Sequence, residues 1–141
     1  MRQEILDYLK TQKIGVLAVE MPDGSPHAAT VHFAHTEDPF EFFFETYRDS
    51  RKAEALLAKE TVRASFVVGV DEKNMKTLQL DGTIRVAKPD EKEVFDAIYL
   101  AKFPSKKEKS NDPIFMYFKF TPSWWRFTDW TAPEGKLILT S

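Results

Sequence analysis

The segment Glu45-Thr46-Tyr47-Arg48-Asp49-Ser50-Arg51-Lys52-Ala53 concentrates side chains suited to holding an anion. It places a Thr where a strand is expected to end, and a Ser, an Arg and a Lys on the first turn of the helix expected next. Unpaired N–H groups and the positive end of the macrodipole make a helix start a ready anion site. Arg51 and Lys52 are oddly placed for a purely structural helix. A cation in the first turn opposes the dipole by roughly 0.3–1 kcal/mol, where Asp or Glu is preferred. A bound phosphate reverses that sign and accepts a forked hydrogen bond from the guanidinium. On this segment alone, two exposed basic side chains on a hydrated helix start explain the pattern equally well.

Glycine-based phosphate sites are absent. The five glycines (Gly15, Gly24, Gly69, Gly82 and Gly135) are scattered, so neither GxGxxG nor GxxxxGK[ST] occurs. Any phosphate must be held by side chains and a helix end. His27, His32 and His35 lie close in sequence, but on a strand His27 and His35 share one face and His32 takes the other. They cannot all converge on one ion, and no metal site is expected. His32 reads first as a satisfied structural histidine and second as a polar ring lining a ligand groove. Trp124, Trp125 and Trp130 fit a flat ring, a core or a subunit contact equally. No Ser, His and acid show recognisable catalytic spacing, so no catalytic residue is assigned.

Bulk properties narrow the function classes. A chain of 141 residues matches one domain, expected over 1–141. A net charge of −2 argues against nucleic acid as a partner, because phosphate-backbone affinity needs a concentrated basic excess. The lack of cysteine removes disulfides, thiolate metal sites and cysteine nucleophiles. No secretory h-region is visible at the N-terminus and no apolar run reaches about 18 residues, so the expectation is a cytoplasmic protein with no membrane partner. Twelve Phe within a 13% aromatic fraction suit a flat ligand or a partner interface, and also a β-barrel core.

These groups are positioned by a mainly β chain. Ile5, Leu6, Tyr8 and Leu9 fall on one side of a short first helix. Strands are expected over 14–20, 27–35 and 40–46, joined by the Pro22-Asp23-Gly24-Ser25 turn and by Glu37-Asp38-Pro39, as an antiparallel meander. A helix follows over 50–60, with Asp49 or Ser50 as N-cap and Ala53, Leu56 and Leu57 inward. Strands over 61–70 and 75–87 come next, the latter alternating cleanly with Gln79 on its polar face. Pro89-Asp90 with Glu93 resembles a capping box opening a helix to about Lys102. Residues 105–112 (SKKEKSND) read as a solvated loop with a gating or substrate role behind that. A final hairpin is expected from 114–120 and 123–130 around Thr121-Pro122, with a short edge strand over 137–139. Six or seven antiparallel strands with two or three flanking helices favour a closed or split barrel over an open sheet.

Taken together, these residues resemble the pyridoxamine 5′-phosphate oxidase-like family of split barrels that bind flavin mononucleotide (FMN). Gly24-Ser25-Pro26-His27-Ala28-Ala29-Thr30-Val31-His32-Phe33 is similar to the family's Gly-x-Pro turn and the strand beside the isoalloxazine ring. Thr46 with Ser50-Arg51-Lys52-Ala53 resembles the segment that holds ribityl chain and phosphate. Gln79-Leu80-Asp81-Gly82 resembles the Gln-x-x-Gly whose Gln meets the flavin. The resemblance covers about residues 14–130. It implies FMN as cofactor, held by Thr30, Val31, His32, Thr46, Ser50, Arg51, Lys52 and Gln79. It further implies a homodimer with FMN between subunits.

The departures from the family pattern are equally specific. The oxidase proper has an Arg where this chain has Ala29. Its substrate contacts find no counterparts around residues 97–105, and its C-terminal Arg-x-His is replaced in Thr131-Ala132-Pro133-Glu134-Gly135-Lys136-Leu137. The cofactor half of the pattern is present and the substrate half is not, which argues against a vitamin B6 oxidase. The leading expectation is an FMN-dependent oxidoreductase acting on a small molecule, with a nicotinamide as candidate electron donor. The alternatives are a non-catalytic flavin-binding or storage protein, or a split barrel that takes haem or a deazaflavin.

Overall fold

The computed structural model describes residues 1–69 and 71–141; Val70, the end of the strand expected over 61–70, lies outside the described residues. Among the described residues, eight strands and three α-helices run in the order α1 (Gln3–Lys10), β1 (Ile14–Glu20), β2 (Pro26–His32), β3 (Ala34–Glu37), β4 (Phe40–Tyr47), α2 (Arg51–Ala58), β5 (Val62–Val68), β6 (Lys76–Val86), α3 (Lys92–Lys102), β7 (Phe115–Asp129) and β8 (Leu137–Thr140). All pairings are antiparallel, in the order β2-β1-β5-β6-β7-β4-β3, with β8 added to the second half of β7. The fold is the split barrel expected from the sequence, with one strand more.

The strand expected over 27–35 is real but breaks at Phe33, a correction that explains how the sheet curls. Its first part pairs with β1 and its continuation pairs with β4. The two edge strands of the sheet are therefore joined by one residue, whose side chain is fully buried against Phe42 and Phe66. Gly24 takes the positive φ of 85° that its turn was expected to need.

The expected hairpin around Thr121-Pro122 is replaced by one continuous strand, β7. Pro122 reads as a turn residue, yet it sits where the β6–β7 register slips between Asp81 and Gly82. A strand at a bulge tolerates the missing N–H of proline. Gly82 makes this possible, because a Cβ there would drive into the Thr121 carbonyl oxygen. β7 thus bends without reversing, pairing with β4 by one half and with β8 by the other.

Most of the phenylalanines fill the core. Phe33, Phe42, Phe44, Phe66, Phe118, Phe120 and Phe127 are essentially sealed inside, joined by Ile5, Tyr8 and Leu9 of α1 and by Ala53, Ala55 and Leu56 of α2. Each such ring contributes about 1.5–3 kcal/mol by leaving water. Leu57, expected inward, is exposed, and Ala55 takes its place because α2 turns the neighbouring i, i+3 ridges to the barrel. A second cluster lies outside the sheet, where Phe95, Tyr99 and Phe103 cover Ala34, Phe43 and Tyr117. The expected Glu93 cap is instead Glu91, which accepts from the Lys88 backbone N–H at 2.8 Å and from both Arg85 terminal nitrogens at 2.7 and 2.8 Å. That pairing pulls the Glu91 carboxyl down to about 2.

Candidate functional site

Where β2 and β4 end side by side, α2 begins and the segment Pro104–Lys109 folds across them as a 3₁₀ helix. These elements enclose a cleft of about 490 Å³. Thr30, Val31 and His32 line it from β2, Glu45, Thr46 and Tyr47 from β4, Lys52 from α2, Ser105, Lys106 and Lys109 from the 3₁₀ segment, and Phe115 from β7. Of the residues expected to hold a cofactor, the cleft gathers Thr30, Val31, His32, Thr46 and Lys52.

Ser50 sits at its margin. It is the N-cap of α2 in extended conformation, but its hydroxyl makes no capping bond and instead lies 3.5 Å from Thr46 Oγ1. The Ala53 N–H is taken up by the Ser50 carbonyl at 3.1 Å, which leaves those of Arg51 and Lys52 as the helix-start donors open to another acceptor. Lys52 is half-buried, and loss of water holds its ammonium below the usual lysine range. It enters no ion pair among the described residues. A partly desolvated cation without a counter-ion is the arrangement an anionic ligand relieves.

Two expected residues are not brought in. Arg51 is exposed and lies toward the Pro22–Ser25 turn, where its charge adds to the Ser25 hydrogen bonds that hold the Asp23 carboxyl below its usual range. Gln79 is exposed on β6, opposite Val67 and Arg126, and is not among the residues lining the cleft. The long alternation of β6 gave Gln79 its face correctly, but the cleft lies on other strands.

The reverse also occurs. The segment read as a solvated loop supplies Lys106, whose Nζ donates to Tyr99 Oη at 3.0 Å and lies 3.1 Å from His32 Nδ1. An ammonium only donates, so Nδ1 accepts and the His32 ring proton sits on Nε2. Burial first, then the charges of Lys106, Lys13 and Lys102, hold His32 below the usual histidine range. Glu45 is half-buried at the same wall, and burial pushes its carboxyl up. Beneath it Tyr117 donates to Asp96 at 2.6 Å, and Asp96 pairs with Lys92. Burial raises both the Tyr99 and the Tyr117 phenols. Sequence signals for Lys106 and Glu45 were weak, because His32 lies 74 residues from Lys106 and the groups facing Glu45 come from α3, the 3₁₀ segment and β7.

His35, on β3, lies apart from the cleft lining. Its Nε2 and the Nζ of Lys102 are buried with no hydrogen-bond partner, and Lys102 lies 3.9 Å over the Phe33 ring. Burial holds His35 down to about 4 and Lys102 down to about 8. No group of His, Asp or Glu able to hold a metal occurs among the described residues. None of the described helices is long and apolar enough to cross a membrane. Trp124 and Trp125 are half-buried on β7, while Trp130 is exposed beside Lys136.

A sequence model described as pyridoxamine 5′-phosphate oxidase matches residues 1–129. The chain belongs to the pyridoxamine 5′-phosphate oxidase family. Solved structures agree on the fold. A conserved hypothetical protein from Mycobacterium tuberculosis superposes with a TM-score of 0.72 at 20% identity, over 92% of this chain and 84% of its own. A protein from Clostridium acetobutylicum, related to general stress protein 26 and assigned to the pyridoxinephosphate oxidase family, gives 0.68 at 18% identity, over 97% and 92%. A heme binding protein from Mycobacterium smegmatis gives 0.74 at 14% identity, over 94% of this chain and 54% of its own. No curated protein matches the chain. Within this family fold, the cleft between β2, β4 and the start of α2 combines free helix-start donors with an unpaired lysine.

Proposed function

We propose that this chain is an FMN-binding cytoplasmic oxidoreductase that works as a homodimer on a small molecule, with a nicotinamide as candidate electron donor. The observation that carries the reading is the convergence of Thr30-Val31-His32, Thr46 and Lys52 on one cleft. The donor set fits the cofactor: a desolvated lysine and unpaired helix-start N–H groups suit the phosphate, and hydroxyls at Thr46 and Ser50 suit the ribityl chain. When bound, the flavin supplies the hydride and electron chemistry. The protein's own part is to neutralise phosphate at Lys52 and orient the ring along the β2 backbone. Arg51 and Gln79 lie outside the cleft of one chain, which is consistent with a second subunit completing the site.

A visible spectrum of the purified protein, followed by anaerobic addition of NADH or NADPH, tests this reading. Flavin bands that bleach with one donor are the expected result. A colourless protein whose melting temperature FMN leaves unchanged overturns it, and flavin that no donor reduces points to binding or storage without turnover.

The second reading is haem, raised by His32 in the cleft, where iron would take the Nδ1 lone pair now accepting from Lys106, and by the heme binding protein of similar fold. It predicts a Soret band that His32→Ala removes. A deazaflavin in the same cleft remains the third ligand to test in the titration.

A further inference from the structure

We propose that the pocket on the far side of Glu45 and Phe115 binds a small carboxylate with an apolar body, and that this is where the substrate sits beside the cofactor. The pocket encloses about 280 Å³ between the end of β6, the start of α3 and residues 110–117. That volume lies just below the roughly 300–1,000 Å³ typical of small-molecule sites, which limits the ligand to a small one. It adjoins the cofactor cleft directly, since Glu45 and Phe115 line both spaces.

The lining divides by chemistry. Val86, Ala87, Phe115 and Met116 give an apolar floor, and Arg48 and Lys88 give a cationic rim. Arg48 is anchored, with Nε donating to the Pro113 carbonyl at 2.5 Å and its backbone N–H bonded to Ile114 at 2.7 Å. Its terminal nitrogens are thereby held in place for a forked carboxylate contact. Neither Arg48 nor Lys88 enters an ion pair among the described residues, whereas Lys92 is committed to Asp96. Of the acids in the lining, Asp112 is engaged by the Ile114 N–H at 3.0 Å. Glu45 is the acid common to both spaces and stands at the wall away from the Arg48 and Lys88 rim, half-buried, with burial pushing its carboxyl up. A ligand bound with its carboxylate at the rim carries its apolar body toward the Glu45–Phe115 wall.

Binding stands on the pocket itself; the pocket's role as substrate site rests on the flavin reading above. The test uses the full chain and two probes of the same body, phenylacetate and 2-phenylethanol, followed by amide NMR, with FMN loading read separately by visible absorbance. Phenylacetate is expected to shift the amides of 86–88 and 115–117 and to bind at least about five-fold tighter than the alcohol. Lys88→Glu is expected to weaken phenylacetate by a similar factor and leave the alcohol unchanged. Ala87→Leu, filling the floor, is expected to weaken both; if that variant does not fold, Lys88→Glu decides alone. Equal affinity for the two probes, indifference to Lys88→Glu, or shifts confined to 30–32 overturns the proposal. If phenylacetate binds as expected and FMN does not, the pocket stands and the flavin reading falls. If FMN binds and phenylacetate does not, the reverse holds.

Discussion

β4 carries two opposite environments on its two faces. Phe42 and Phe44 point into a dry interior with Phe33, Phe66 and Phe120 at ring separations of 4.9–6.3 Å. Phe43 and Glu45 point outward beneath α3 and the 3₁₀ segment, where Tyr99, Tyr117, Asp96, Lys92 and Lys106 form a polar layer around a thin apolar patch. The interior holds the fold together through contacts that any close-packed aromatic core makes. The outer layer contains half-buried charges that cost stability unless paired; Lys92 is paired with Asp96, and Lys106 lines the cleft. One strand therefore anchors the barrel with one face and turns Glu45 and Tyr47 to the site with the other, Thr46 joining them from the inner face at the strand's end.

The sharpest way to break that contrast is to exchange the severity of mutations on its two sides. Phe66→Ala removes a sealed ring touching Phe33, Phe42 and Phe44, and is expected to cost about 3–5 kcal/mol in denaturant unfolding. Tyr117→Phe deletes only the donor to Asp96, at an expected cost of about 1 kcal/mol. A larger loss for Tyr117→Phe would mean that the outer layer, not the interior, holds the barrel.

The cleft side of the contrast is tested by Lys52→Ala. The expected result is roughly ten- to hundred-fold weaker FMN binding in a fluorescence titration, the worth of one charge-assisted hydrogen bond of about 1.5–3 kcal/mol. The same change relieves an unpaired, desolvated cation, so the melting temperature of the flavin-free protein is expected to stay level or rise. Lost stability together with unchanged FMN affinity would assign Lys52 to the fold instead.

His35 lies where the two environments meet, and its effect is smaller. Folding lowers its pKa from 6.5 to about 4, through burial first and the Lys102 charge second, with Lys10 adding to this and Glu37 opposing it. Between those values the unfolded chain binds more protons, so stability is full above pH 6.5 and falls as pH drops toward 4. Partial exposure screens the effect to about 1–2 kcal/mol. His35→Phe is expected to flatten the melting temperature over this window, and an unchanged slope would exclude His35 as its source.

The two environments were not equally legible in the sequence. Period-two alternation located β6, and turn chemistry located Gly24, because these signals are local. Pro122 misled for the same reason: its local chemistry says turn, and only its register opposite Gly82 shows a bulge in a through-going strand. The corner at Phe33 was equally hidden, since a strand that changes partners keeps its own alternation. At the site, Thr46 and Lys52 were readable from the helix start between them. Lys106 and Glu45 were not, because His32 and the cleft wall become their neighbours only when the barrel curls.

Lys106 gives the finest probe of that curled geometry. Its Nζ lies 3.1 Å from His32 Nδ1, and after burial its charge is the largest influence holding His32 below the usual range. Lys106→Met keeps the length and apolar stem and removes the charge. The His32 pKa, followed by NMR titration of the ring, is expected to rise toward its ordinary value without reaching it, because burial and the charges of Lys13 and Lys102 persist. FMN affinity is expected to weaken less than in Lys52→Ala, since Lys106 already has Tyr99 as a partner. If His32 titrates at the same pH in both proteins, the 3₁₀ segment does not hold Lys106 over the cleft in solution. The polar layer then ends at Tyr99, and the cleft is walled by β2, β4 and α2 alone.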